Sequence, residues 1–240
     1  MPSQVEKLQA HASHLLDAFL ALRERYAMLD PMLFHEQVPL GRGSGRQARG
    51  VKTLRNSLFL SCVQDVAKLS MDDDKRTPSL RRLVSALDDQ TLVAELREQF
   101  AGLSAPLIEM ETDPEIIEAL HRMGLREVAE RRTQFDEILD RTRKDWVELS
   151  SSSFMSGFLT IRDKVTAHTE VQLVADKYQF VDIGALGTKW SDLRRAIGMM
   201  QSLVESLGLL IRNAGFAWEM LDEQLSRASH AFWLPPETAA

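Results

Sequence analysis

The sequence predicts an all-α fold, a helical bundle with additional helices. Three observations predict it. Helix breakers are scarce, with 12 Gly and 8 Pro in 240 residues. Apolar residues recur at three- and four-residue intervals over long stretches. Serine, threonine or aspartate stands where such stretches begin, as helix caps do.

The elements follow in order. Leu8, Leu15, Phe19 and Leu22 predict a helix over Val5–Leu29, and Pro31 and Pro39 are expected to end it. The segment 39–50, including GRGSGRQARG at 41–50, reads as a Gly- and Arg-rich loop. A second helix is expected over Lys52–Leu69. Thr77-Pro78 reads as a cap followed by proline at the first helical position, opening a short helix through Leu87. Another is expected from Asp89 to Leu103. Asp113-Pro114 repeats the signal and opens a helix that pauses at Gly124 and runs to Leu149. Ser150–Ser153 breaks the chain and caps a helix over Phe154–His168. Tyr178–Gly187 reads as irregular, and no segment reads as a strand. A last helix starts near Thr188 or Ser191. Its apolar positions run from Leu193 to Leu225 in steps of four and three, a heptad seam suited either to a bundle core or to a subunit interface. Residues 1–240 are expected to form one helical domain, with 72–150 a possible helical insertion.

Composition narrows the function. No run approaches the roughly 18 apolar residues that a membrane span needs, and Met1–Gln9 lacks a signal-peptide pattern. One cysteine, Cys62, fits a reducing compartment and an apolar helical position. A cytoplasmic protein is therefore expected. The net charge is −6, with acid concentrated in 109–148. Residues 37–64 carry no acid but hold Arg42, Arg46, Arg49, Lys52 and Arg55. The overall balance opposes indiscriminate nucleic-acid binding, yet this basic stretch suits phosphate contacts. Phosphate-loop, dinucleotide, nucleophile-elbow and zinc-helix motifs are absent. His11 and His14, three apart without a third ligand, make a poor metal site. No metal or cofactor is expected.

The stretch Arg162-Asp163-Lys164-Val165-Thr166-Ala167-His168 stands apart. It resembles the HEPN superfamily motif, in which an arginine and an adjacent polar residue precede a histidine. Leu54-Arg55-Asn56 and the run Arg76–Leu83 are similar to the AbiU-like abortive-infection branch, over about Leu15–Leu225. The resemblance implies a HEPN-like bundle and a metal-independent endoribonuclease acting in phage defence or as a toxin. Arg162 and His168 would be catalytic with Asp163 supporting, and RNA would be the partner. A homodimer with a composite site and an antitoxin or regulatory partner are further expectations. The alternative is a non-catalytic HEPN-like module that binds RNA, nucleotide or a protein. No tyrosine follows His168 closely, unlike in the variant with a modifiable one; the next is Tyr178.

Residues six apart on a straight helix point about 240° apart. Arg162 and His168 therefore need either a helix that loosens near Thr166 or a second copy of the chain. The resemblance favours the second copy.

Overall fold

The computed structural model describes residues 3–35, 38, 45–102, 113–167, 171–174, 177–180 and 186–234. The fold is all-α, as expected, with one small hairpin. Helix α1 spans Gln4–Phe34, α2 Arg46–Met71, α3 Leu80–Ala86, α4 Gln90–Ala101, α5 Pro114–Ser150 and α6 Ser153–Ile161. A π-helical turn over Arg162–Ala167 leads to strands β1, Val171–Val174, and β2, Lys177–Phe180. Helices α7, Trp190–Arg212, and α8, Trp218–Trp233, complete the described chain.

Local chemistry sets the starts. Ser3 and Glu6 form a reciprocal capping box on α1. Asp89 accepts from the amides of Thr91 and Leu92 and caps α4. Asp113 accepts from the Glu115 amide and Pro114 follows it, as the sequence predicts.

Several expectations need correction. The helix α1 continues through Pro31 to Phe34. Proline forfeits one backbone bond, but burial of Pro31 and Met32 offsets it. The expected loop 39–50 overlaps α2, which starts at Arg46. Gly45 takes φ 70° just before it, and Arg46-Gln47-Ala48-Arg49 are good helix formers. Gly124 does not interrupt α5, which runs 37 residues; an interior glycine costs only about 1 kcal/mol. Ser79, not Thr77, caps α3.

The last helix is two. Asn213 adopts the left-handed conformation, φ 51°, and ends α7. The Ala214 amide then turns back to the Gly208 carbonyl. A Cβ at Gly208 would lie 3.0 Å from the Ala214 oxygen, so glycine suits the tight return. The seam from Leu193 to Ile211 is core, buried along its length. Within it, α7 packs against α1 and α5.

The hairpin was also not foreseen. Val171 pairs with Phe180 and Val174 with Lys177, antiparallel. The alternation in Val-Gln-Leu-Val and Tyr-Gln-Phe was its signal, obscured by the surrounding helical pattern.

One contiguous cluster of buried side chains draws on α1 through α8, including Phe19, Cys62, Leu83, Leu96, Phe135, Phe158, Met200 and Trp218. Cys62 is part of that core, and burial pushes its thiol up to about 12. Ion pairs Arg97–Asp136 and Arg132–Glu98 tie α4 to α5 at the surface. No described helix is long and apolar enough to cross a membrane.

Candidate functional site

The helix that carries Arg162 changes its winding there. Ile161 is fully buried and Val165 leans on the core. Directly after Ile161 the backbone widens to π-helical geometry over Arg162–Ala167, a turn that contains Val165. A helix loosened near Thr166 was one of the two arrangements the sequence left open, and the π turn begins four residues before Thr166 and includes it. Such turns are uncommon and recur at functional sites. The wider winding also narrows the angle between successive side chains. Adjacent residues do not face each other on an α-helix, yet Arg162 Nε donates to Asp163 Oδ1 at 2.7 Å.

This pair lines an open cleft of about 570 Å³. The π turn packs against α2, whose Gln64, Lys68 and Met71 supply the facing wall at i, i+4, i+7 spacing. The connection from α2 to α3 contributes Asp72 and Asp73, and α3 contributes Arg81. Three cations and three carboxylates thus share the cleft. The carboxylates are partly spoken for. Asp72 accepts from the Asp74 amide, and Asp163 holds Arg162. Lys68 and Arg81 are exposed and form no ion pair among the described residues.

Ser79 fixes this connection. Its buried hydroxyl donates to the Asp72 carbonyl and accepts from the Arg82 amide. Ser79→Ala removes a helix cap and leaves the half-buried Asp72 carbonyl without its donor. A loss of about 1–2 kcal/mol is expected, measurable as a lower urea midpoint at unchanged slope. A midpoint equal to the parent's would remove Ser79 from this role.

His168 and Arg42 lie outside the described residues. Arg46, Arg49 and Lys52 are exposed on the first half of α2. Arg55 is half-buried, its guanidinium 5.4 Å from the Trp190 ring centroid. Arg46, Arg49, Lys52 and Arg55 do not line the cleft. Lys68 lies about 24 Å along α2 from Lys52. Sequence reasoning missed Lys68 and Arg81 as cleft residues. Arg81 fell within the Arg76–Leu83 run; Lys68 gave no signal beyond its spacing from Gln64. Among the described residues, no three His, Cys, Asp or Glu side chains are grouped to hold a metal ion.

Comparison with known families settles the kinship. The family model for AbiU2, of HEPN type, matches residues 5–232. The chain belongs to the AbiU2 family of HEPN proteins. No curated protein and no solved structure matches it.

Proposed function

We propose that this AbiU2-family protein is a metal-independent endoribonuclease acting in phage defence or as the toxin of a toxin–antitoxin pair. The observation that carries the reading is Arg162, oriented by Asp163 in an open cleft with Lys68 and Arg81 beside it. The working form is a homodimer in which Arg162 of one copy and His168 of the other complete a composite site. A two-fold arrangement makes two such sites. An antitoxin or other regulatory partner is a further expectation, and the protein acts in the cytoplasm.

The chemistry needs no external nucleophile. The RNA 2′-oxygen attacks its own adjacent phosphorus. Its proton passes to a base, and a proton is delivered to the departing 5′-oxygen. The products are a 2′,3′-cyclic phosphate and a 5′-hydroxyl. Histidine titrates near neutrality, so His168 handles a proton in this exchange. Arginine remains charged and grips phosphate oxygens through parallel N–H donors. Arg162 thereby stabilises the charge that gathers on phosphorus oxygens in the transition state. Asp163 is a positioning residue for the guanidinium. Arg42, Arg46, Arg49, Lys52 and Arg55 contact the RNA backbone further along.

The test is incubation of purified protein with total tRNA and mRNA in excess chelator, alongside His168→Ala. Cutting by the parent and not by the variant is expected. RNA left intact by the parent would overturn the cleavage reading and favour a module that binds without cutting. Equal cutting by both proteins would remove His168 from the site.

A further inference from the structure

A second basic recess lies on the other side of α3. Arg81 and Arg82 are neighbours in sequence and diverge by about 100° on a helix. Arg81 faces the Arg162 cleft, while Arg82 faces a recess of about 260 Å³ between α1, α3 and α4. Lys7 and His11, one turn apart on α1, line it with Lys75 from the connection before α3. Leu8 and Leu83 are among its apolar lining residues. Among the described residues that line it there is no carboxylate. Two acids next to lining residues are engaged. Asp89 caps α4 and accepts from Gln4 at the rim. Asp74 is paired with Arg76. Lys7, His11 and Lys75 form no ion pair among the described residues.

Arg82 has one structural partner, its Nη1 donating to the Asp74 carbonyl at 2.8 Å, whereas the side chains of Lys7, His11 and Lys75 make no hydrogen bond among the described residues. Like charges brought together cost stability, and here a half-buried arginine and an imidazole are added to two ammonium groups. The strain registers on His11, held below the usual histidine range by burial, then by Arg82, then by His14. An anion in the recess would offset the repulsion among these charges, which is the part of the effect that does not come from burial.

We propose that the Lys7–His11–Lys75–Arg82 recess binds the phosphate of a nucleotide, either free or at the 5′ end of an RNA. The cationic rim holds the phosphate oxygens and the leucines take the sugar. The recess is slightly smaller than the ~300 Å³ where small-molecule pockets begin. It therefore suits the phosphate end of a nucleotide rather than the whole. The site is separate from the Arg162 cleft and does not depend on RNA cleavage there.

The test follows the His11 ring resonances by NMR during titration of the full chain. The probes are AMP, a 5′-phosphorylated 2′-O-methyl RNA tetramer that resists cleavage, its 5′-hydroxyl counterpart, and inorganic phosphate. Saturable shifts are expected with AMP, with the phosphorylated tetramer, or with both. AMP alone would identify a free nucleotide, and the tetramer alone an RNA end. The 5′-hydroxyl tetramer should leave His11 unmoved. Lys7→Gln/Lys75→Gln, two exposed positions that leave the fold intact, should weaken binding at least about tenfold. Three results would each overturn the proposal. These are no shift with either phosphorylated probe, an affinity unchanged in the double variant, and inorganic phosphate binding as tightly as AMP.

Discussion

Arg162→Ala is expected to lower the rate of RNA cleavage by about 10²- to 10³-fold, the loss typical of removing one aligned charge donor from a transition state. Stability should barely move. Arg162 is 30% exposed at the side chain and pairs with a neighbouring surface carboxylate, so its removal costs about 1 kcal/mol or less. Arg162→Lys keeps the charge but loses the planar fork, and should recover only part of the rate. Asp163→Asn leaves the guanidinium charged and less firmly oriented, so its loss should be smaller than that of Arg162→Ala. Single-turnover cleavage beside a thermal melt checks the series. A rate for Arg162→Ala within about threefold of the parent, with the melt unchanged, would remove Arg162 from the chemistry.

A dimeric composite site adds a sharper version. Mixing Arg162→Ala with His168→Ala chains should restore activity, because half of the sites in a mixed dimer combine Arg162 and His168 from unmutated positions. Failure of the mixture to regain any activity would argue for both residues acting within one copy.

Much of the fold was legible because its signals are local. Ser3 with Glu6, Asp89, and Asp113 with Pro114 announce helix starts through hydrogen bonds within one turn. What the sequence hid depended on packing. Pro31 looked like a stop, but the core around Met32 carries the helix past it. The seam from Leu193 to Leu225 looked continuous, since apolar spacing does not report a backbone that reverses at Asn213. The left-handed residue and Gly208 were the available clues. The candidate site divides the same way. Arg162 and Asp163 were visible as a motif. The π turn that lets them pair, and the approach of Lys68 and Arg81, arise from contacts between α2, α3 and the segment after α6. Lys68 and Arg81 each stand 81 or more positions before Arg162 in the chain, and no periodicity links them to it.

The second large effect belongs to the core that holds these elements in place. Phe19→Ala should destabilise the protein by about 3–5 kcal/mol. Phe19 has no exposed surface, and its ring meets Trp218 edge-on at 5.8 Å between centroids. That contact lies where α1 packs against α8, beside the turn at Asn213 that brings α8 back. Truncation removes the transfer energy of the ring and leaves a cavity that rigid helices close only in part. Domains of ordinary stability have about 5–15 kcal/mol in all, so the variant should approach its unfolding threshold at physiological temperature. Phe19→Leu fills most of the volume and should cost less than half as much. Met123→Ala, at a residue 67% exposed on α5, should change stability by about 0.5 kcal/mol or less. Urea melts of the three variants give the ordering directly. A Phe19→Ala loss no larger than that of Met123→Ala would mean that α1 and α8 do not meet as described. The ring would then have to be sought in another environment.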